Sequence, residues 1–170
     1  MQAPEDDRRT MQPPPVPADE PERLAALART GLLDTPPAAA FDRITRSVAG
    51  LLNVPMALIS LVDEKRQWFL SRFGVDVTET PREVSFCGHA VAARETLLVV
   101  DAWRDPRFAG NPLVTGAPHI RAYLGVPLLG ADGHALGTLC VLDRRVRAFT
   151  PEERQIVERY ARAVGLLIRR

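Results

Sequence analysis

The sequence predicts an α+β fold in which helices from both ends of the chain cover one face of an antiparallel sheet. Strand-like segments occur in pairs joined by short turns, which is typical of antiparallel hairpins. Helical periodicity is concentrated near the two ends of the chain, so both terminal segments have an apolar face to bury. Helices that pack on the same face of a sheet are the simplest arrangement for this order of elements.

The chain of 170 residues is long enough for one domain with an ordinary core. Residues 1–19 contain five prolines and few apolar side chains, so we expect a disordered proline-rich tail and a single domain over residues 20–170. The acidic start does not resemble a signal peptide, and no stretch has the roughly 20 apolar residues of a membrane span. These features favour a soluble, cytoplasmic protein without a membrane partner.

Two helices are predicted before the first strand. The first begins after Asp19, ends at Gly31 and presents a narrow apolar stripe of Leu24, Leu27 and Ala28. The second has Thr35 as its cap and Pro36 in its first turn. Its apolar face consists of Phe41, Ile44, Val48, Leu51 and Leu52.

Five strands and a last helix follow from patterning alone. Residues 55–64 are apolar on both alternating faces, which indicates a strand covered on both sides, and residues 67–73 form its hairpin partner. Residues 120–129 and 134–143 form a second hairpin, and a further short strand is expected at 97–100. Thr150 and Glu153 form a capping box at the start of the last helix.

The face of the sheet opposite the helices must be roofed by the long segments 75–96 and 101–119, and a cavity could form beneath them. We take the polar and aromatic residues of this region as candidate ligand-binding residues, with Arg121 as the best candidate for an anion contact. They are Trp68, Phe86, Cys87, His89, Asp101, Trp103, Asp105, Arg107, Phe108, Arg121 and Tyr123. In the structural alternative, the aspartates cap loops and pair with Arg107 or Arg121, while the aromatic residues fill the core.

The stretch "SFCGHAV" at residues 85–91 raises the question of a metal site or a reactive thiol. With Ser85 as a helix cap, Cys87 and His89 lie about 200° apart around the axis and cannot bind one ion. We therefore expect no metal. A cysteine in the first helical turn has a lowered pKa, whereas burial raises it. Cys140 lies in a strand and is interpreted as a core residue, and both cysteines are expected to be reduced.

Two other classes of function find no support in the sequence. The basic stretch "RRVR" at 144–147 has no interleaved aromatic residues, so we expect no nucleic-acid partner. No serine lies in a nucleophile-elbow context, which argues against a hydrolase.

Several segments together resemble one family over roughly residues 20–170. They are "LLDTPPAAAFDRITRSVAGLLNVPMALISLVDEKRQWFLSRFG", "ETPREVSFCGHAV", "LLVVDAWRDPRFAGNPLVTGAPHIRAYLGVPL" and "DGHALGTLCVLDRR". Their order and content resemble GAF domains, in particular those in front of bacterial histidine kinases and diguanylate cyclases. The resemblance implies a six-stranded antiparallel sheet, terminal helices on one face that often pair two subunits, and a small-molecule pocket on the other face.

The resemblance therefore implies a non-catalytic sensory module that binds an unidentified small molecule, needs no cofactor and forms a homodimer through its terminal helices. Because the sequence stops at Arg170, output would require a separate kinase or cyclase effector. A first alternative is a thiol enzyme that uses Cys87, since "FCGHA" is similar to a segment of free methionine-R-sulfoxide reductase. Residues 105–119 lack the further cysteine of that enzyme, and the patterns of bilin-binding and cyclic-nucleotide-binding GAF domains are absent. A second alternative is a ligand-free interaction adaptor.

Overall fold

The computed structural model describes residues 9–169, which contain five α-helices and six strands. The helices are α1 (Glu20–Arg29), α2 (Ala39–Leu52), α3 (Phe86–Ala93), α4 (Pro112–Thr115) and α5 (Pro151–Ile168). The strands are β1 (Met56–Val62), β2 (Arg66–Phe73), β3 (Glu79–Pro81), β4 (Leu97–Val99), β5 (Ala122–Leu129) and β6 (Ala135–Asp143). Among the described helices, none has the length and apolar character required to cross a bilayer.

The strands form one six-stranded antiparallel sheet in the order β3-β2-β1-β6-β5-β4, which confirms the predicted fold class. β1 lies in the middle of the sheet and pairs with both β2 and β6. The two predicted hairpins are β1-β2 and β5-β6. Segments expected to be irregular contain the short strand β3 and single 3₁₀ turns at Arg82–Val84 and Ala102–Arg104.

The two faces of β1 contact two separate apolar layers. Ala57, Ile59 and Leu61 pack in the layer beneath α1, α2 and α5, whereas Met56, Leu58 and Val62 pack in the layer beneath the roof. Every residue of β1 is buried, as expected for a strand covered on both sides. The sheet therefore separates a helix layer from a roof layer, and the roof is the place to look for a site.

The last helix has the predicted capping box. Thr150 Oγ1 accepts a hydrogen bond from the Glu153 amide at 3.1 Å, and the Thr150 amide donates to Glu153 Oε1 at 3.0 Å. Both groups would otherwise be unpaired at a helix start. α5 then buries Val157, Val164 and Ile168 in the helix layer.

The two predicted N-terminal helices differ in detail from the structure. α2 begins at Ala39 rather than at Pro36, and the Thr35 hydroxyl donates to the Leu32 carbonyl at 2.7 Å instead of capping the helix. The residue before a proline disfavours the helical conformation, and Thr35 and Pro36 both precede prolines. α1 ends at Arg29, shortly before Gly31 as expected, and of the predicted stripe it buries Leu27, together with Arg23 and Ala26, but not Leu24 or Ala28.

The roof is assembled around two short capped helices. Ser85 Oγ accepts from the Gly88 amide at 3.1 Å and so caps α3, as predicted. Asn111 Oδ1 accepts from the Leu113 amide at 2.9 Å at the start of α4, and its Nδ2 donates to the Val84 carbonyl at 2.9 Å. This one buried side chain therefore joins the two long segments of the roof.

An extended segment, residues 9–18, lies across the outside of the roof, and we call it the N-terminal strap. The Gln12 amide donates to the Arg107 carbonyl at 3.0 Å, and the Gly110 amide donates to the Thr10 carbonyl at 2.6 Å. The Arg9 guanidinium lies 3.2 Å above the centre of the Trp103 ring. The disordered tail was predicted for residues 1–19; residues 1–8 fall outside the described residues, whereas the strap has these defined contacts.

Candidate functional site

A cavity of about 360 Å³ lies between the roof face of the sheet and the roof itself. Its floor is formed by side chains of β1, β2, β5 and β6, and its walls by α3, residues 74–77 and residues 113–120. The lining residues include Met56, Leu58, Gln67, Phe69, Phe86, Cys87, Tyr123, Cys140 and Leu142. Its size and its mainly apolar lining are those of a small-molecule pocket.

Gln67 supplies the clearest polar group in the cavity wall. The residue is 4% exposed, and its Nε2 donates to Thr80 Oγ1 at 2.7 Å. Its Oε1 is buried and has no hydrogen-bond partner among residues 9–169. Because the Thr80 hydroxyl can donate as well as accept, turning the amide over still leaves one polar atom without a partner. An unpaired buried amide atom costs about 1–3 kcal/mol, which a ligand with a complementary group would recover.

Aromatic packing on one side of the cavity fixes α3 against the sheet. The Phe86 and Phe108 rings are stacked with their centres 4.1 Å apart, and the Tyr123 ring lies 5.2 Å from Phe86. Gly125, two residues after Tyr123 on the same strand, makes this position possible, since a Cβ there would lie 2.1 Å from the Tyr123 hydroxyl oxygen. The Tyr123 hydroxyl therefore lies over Gly125 of β5 and contacts Cys87 in the first turn of α3.

At that point two buried cysteines and two hydroxyl groups meet. Cys87 Sγ accepts hydrogen bonds from the Tyr123 hydroxyl at 3.1 Å and from the Thr138 hydroxyl at 3.0 Å. Cys140 Sγ lies 3.9 Å from Cys87 Sγ, and both cysteines are free thiols that line the cavity. We call Cys87, Tyr123, Thr138 and Cys140 the thiol cluster.

The pKa values of the groups in the thiol cluster shift in opposite directions. Burial by itself raises the pKa of Cys87, but hydrogen bonds from Cys140, Thr138 and Tyr123 together outweigh burial and lower that pKa to about 6. Burial raises the pKa values of Tyr123 and Cys140 well above their usual range, and the nearby Cys87 charge raises them further. Cys87 is therefore the most acidic group of the thiol cluster, and the hydroxyls of Tyr123 and Thr138 are placed to donate to its sulfur.

Three of the eleven candidate binding residues line the cavity, namely Phe86, Cys87 and Tyr123. Phe108 is buried behind Phe86 in the roof layer. Trp68 lies on the other side of the sheet, in the helix layer, because side chains alternate along β2. Gln67 and Phe69 face the cavity, so Trp68 between them cannot, and its assignment to the roof was wrong.

The polar candidates have structural partners instead of facing the cavity. Asp101 caps the turn at Trp103, and Asp105 accepts from both the amide and the guanidinium of Arg107, with the closest pair at 2.8 Å. Arg121, expected to contact an anion, donates to the Val114 and Ile120 carbonyls at 3.0 and 3.1 Å and lies over the Trp103 ring. This arrangement is the structural alternative considered from the sequence.

His89 faces the strap rather than Cys87. Its Nε2 lies 3.0 Å from the Gln12 carbonyl oxygen, and burial lowers its pKa. Among residues 9–169, no three side chains of the metal-binding types lie together. Cys87 and His89 therefore lie on different sides of α3, as predicted, with Cys87 at the cavity and His89 at the strap.

Sequence reasoning missed Gln67, Cys140 and the apolar floor of the cavity. The floor residues had been recognised as one face of a doubly covered strand, but that pattern does not distinguish a filled layer from a hollow one. Strand alternation would have placed Gln67 opposite Trp68, and a glutamine facing a covered layer is the signal that could have identified it.

Comparisons with known proteins agree with this architecture. Over 155 residues the chain is 42% identical to a cyclic di-GMP phosphodiesterase of Pseudomonas aeruginosa. The aligned region covers 91% of this chain but only 26% of the phosphodiesterase. The chain therefore spans about a quarter of the length of this curated relative. Two solved structures have the same fold: the GAF domain of an Acinetobacter phosphoenolpyruvate-protein phosphotransferase and free methionine-R-sulfoxide reductase from Neisseria meningitidis.

The match to the Acinetobacter domain has a TM-score of 0.63 and 18% identity and covers 86% of this chain and 92% of that one. The match to the Neisseria enzyme has a TM-score of 0.64 and 18% identity and covers 87% and 84% of the two chains. At this level of identity the likeness concerns the fold alone.

Residues 36–168 match the GAF domain. The sheet order, the cavity under the roof and this match over most of the chain lead to one assignment: the chain belongs to the GAF domain family.

Proposed function

We propose that this chain is a non-catalytic regulatory GAF module of bacterial signal transduction that binds a small, mainly apolar molecule in the cavity under the roof. The observation that carries the proposal is that Gln67, whose buried Oε1 has no hydrogen-bond partner among residues 9–169, lines a mainly apolar cavity of about 360 Å³. A ligand that fits would bury a ring or short chain against Met56, Leu58 and Leu142 and donate one hydrogen bond to Gln67.

The signalling context is supported by the relative, which is a cyclic di-GMP phosphodiesterase. We further propose that the module acts through a homodimer or a separate kinase or cyclase effector. Leu51 of α2 and Leu166 of α5 are 60% and 66% exposed, and a second copy of the chain would cover them.

Native mass spectrometry of freshly purified protein tests both parts of the proposal, because it reports the number of subunits and any molecule retained in the cavity. We expect a dimer, and a strict monomer would refute the dimer. Leu166→Glu should give monomers if α5 forms the interface, while Glu22→Lys, at an exposed position of α1, should leave the subunit count unchanged.

Indole and N-methylindole form a pair of probes for the ligand class, since N-methylindole has a methyl group in place of the N–H donor. We expect indole to bind about fivefold more tightly than N-methylindole to the wild-type chain, as one neutral hydrogen bond is worth about 1 kcal/mol. Gln67→Met keeps the volume and removes the acceptor, so it should abolish that difference. Equal binding of the two probes to the wild type, or no binding of either, would contradict the proposed ligand class.

The Cys87 environment favours a second candidate function, a thiol enzyme that acts on methionine sulfoxide. Its support is the likeness of fold to the Neisseria reductase and the stabilised thiolate at the cavity wall. Against it stands the lack of a cysteine in residues 105–119. Reduction of free methionine sulfoxide by the wild type, lost in Cys87→Ser, would establish this candidate, and an inactive wild type would exclude it.

A further inference from the structure

The thiol cluster has no role in the proposed ligand binding, yet it has the parts of an oxidation site. We propose that Cys87 and Cys140 form a reversible dithiol–disulfide pair that is oxidised by a small hydroperoxide entering the cavity. This inference does not depend on the proposed ligand, because it requires only access through the cavity and the two thiols. The disulfide would link α3, which contains Cys87, to strand β6, which contains Cys140.

The first requirement is two sulfur atoms near enough to bond. The Sγ atoms of Cys87 and Cys140 lie 3.9 Å apart, and a disulfide bond is about 2 Å long, so they must approach by roughly 2 Å. The chain contains two cysteines in total, so no other intramolecular pairing competes. Rotation of Cys87 about its side chain, or a small shift of the eight-residue helix α3, supplies the movement.

The second requirement is one nucleophilic thiolate. Tyr123 and Thr138 hydroxyls donate to Cys87 Sγ at 3.1 and 3.0 Å, and the cysteine lies in the first turn of α3, where the helix dipole favours negative charge. The lowered pKa of Cys87, about 6, is consistent with this geometry. Cys140 has a raised pKa and so keeps its proton for the second step.

The third requirement is a route for the oxidant. Cys87 and Cys140 both line the cavity together with Met56, Leu58 and Leu142, so a peroxide bound there lies next to both cysteines. The mainly apolar lining favours a neutral alkyl hydroperoxide, and hydrogen peroxide is the smallest member of the same chemical class.

The chemistry balances in two steps. The Cys87 thiolate, whose proton has gone to solvent, attacks the terminal oxygen of ROOH; an S–O bond forms, the O–O bond breaks, and the alkoxide takes up a proton and leaves as ROH. Cys140 then attacks the sulfenic sulfur; the S–S bond forms, the S–O bond breaks, and the departing hydroxide takes the Cys140 proton to become water. In total two thiols lose two electrons, which the peroxide accepts.

The test treats the reduced 170-residue chain with tert-butyl hydroperoxide, then blocks the remaining thiols under denaturing conditions and measures the intact mass. We expect loss of two hydrogens, no alkylated cysteine, a monomeric band on a non-reducing gel and full reversal by dithiothreitol. A product linked between chains, or a wild type that stops at a single sulfenic acid, would overturn the proposal.

Two variants separate the steps. Cys140→Ala should stop at the Cys87 sulfenic acid, which dimedone traps, whereas Cys87→Ser should leave Cys140 unoxidised at the same dose. Cys87→Ser that oxidises as fast as the wild type would overturn the assignment of the nucleophile. A substitution at a buried cysteine can impair folding. The mass measurement on the wild type tests disulfide formation even if neither variant folds.

A third variant tests the role of Tyr123 as a positioning residue. Tyr123→Phe removes one donor and keeps the ring, so the disulfide should still form but the pH midpoint of its rate should move upward from about 6. The wild-type rate should rise with pH through that midpoint and level off above it, because the thiolate is the reactive form. Identical pH profiles for the two proteins would show that the hydroxyl does not stabilise the thiolate and would count against the proposal.

Discussion

Arg23 of α1 is almost fully buried against Glu20, and the two side chains form a paired ion contact with both nitrogen–oxygen distances at 2.8 Å. Arg23 also donates to the Val62 carbonyl at 2.7 Å and to the Ala135 carbonyl at 3.3 Å. Arg82 contacts the same Glu20 carboxylate from the roof side of the chain. One buried charge pair therefore ties α1 to the ends of β1 and β6.

Removal of Arg23 should destabilise the protein strongly. Arg23→Ala leaves the Glu20 carboxylate in a largely buried position with one partner lost, and breaking such a pair costs about 3–5 kcal/mol. Chemical denaturation measures this loss as a lower free energy of unfolding. Arg29→Ala is the matched control on the same helix, because the Arg29–Asp132 pair is 61% and 57% exposed and should cost less than about 1 kcal/mol. Equal losses in the two variants would refute a structural role for the buried pair.

The same pair predicts a loss of stability in acid. Burial raises the pKa of Glu20, but hydrogen bonds from Arg23 and Arg82 outweigh it and lower that pKa from 4.5 to about 2. A lowered folded-state pKa means that the stabilisation is complete above pH 4.5 and is lost as pH falls from 4.5 to about 2. Glu20→Gln has no such group to titrate. The difference in unfolding free energy between the wild type and Glu20→Gln should therefore shrink over that interval, and a constant difference would contradict the assignment.

The buried arginine shows where sequence patterns stop being informative. The predicted stripe on α1 used Leu24, Leu27 and Ala28, because an arginine is normally assigned to the solvent side of a helix. The structure instead buries Arg23 beside Leu27 and leaves Ala28 exposed. A carboxylate three residues before the arginine was visible in the sequence, but the carbonyl groups of Val62 and Ala135 come from distant strands.

The features predicted correctly are those with a local and periodic cause. The two apolar faces of β1 follow from strand alternation, and the start of α5 follows from a cap that involves neighbouring residues. The cavity and the strap have no periodic signal. The Gln12 amide donates and the Thr10 carbonyl accepts, and nearly any residue can form such main-chain hydrogen bonds. The proline-rich composition of residues 1–19 therefore indicated only a lack of apolar burial.

The capping box of α5 should contribute measurably to stability. Thr150→Ala removes the oxygen that accepts from the Glu153 amide, and loss of a helix cap costs about 1 kcal/mol. Thr150→Ser keeps that oxygen and should unfold within about 0.5 kcal/mol of the wild type. Thermal or chemical unfolding distinguishes the two, and equal destabilisation by serine and alanine would show that the threonine methyl group, rather than the cap, is important.

The strap should detach when Gly110 acquires a side chain. A Cβ at this position would lie 2.4 Å from the Arg9 carbonyl oxygen and 2.8 Å from the Thr10 carbonyl carbon, and strap backbone cannot rotate away as a side chain could. We expect Gly110→Ala to release residues 9–18 from the roof. Hydrogen exchange at the Gln12 amide, which donates to the Arg107 carbonyl in the attached strap, should become fast in the variant.

A shortened chain that begins at residue 16 provides the control for this prediction. The atoms that would clash with the new Cβ belong to Arg9 and Thr10, so Gly110→Ala should change the unfolding free energy of the shortened chain by less than about 0.5 kcal/mol. In the full chain the same substitution also exposes Trp103, because the Arg9 guanidinium no longer covers its ring. If the Gln12 amide in Gly110→Ala remained as protected as in the wild type, the close approach of strap and roof would be wrong. A similar loss of stability in the short and full chains would instead assign the effect of alanine to the roof loop itself.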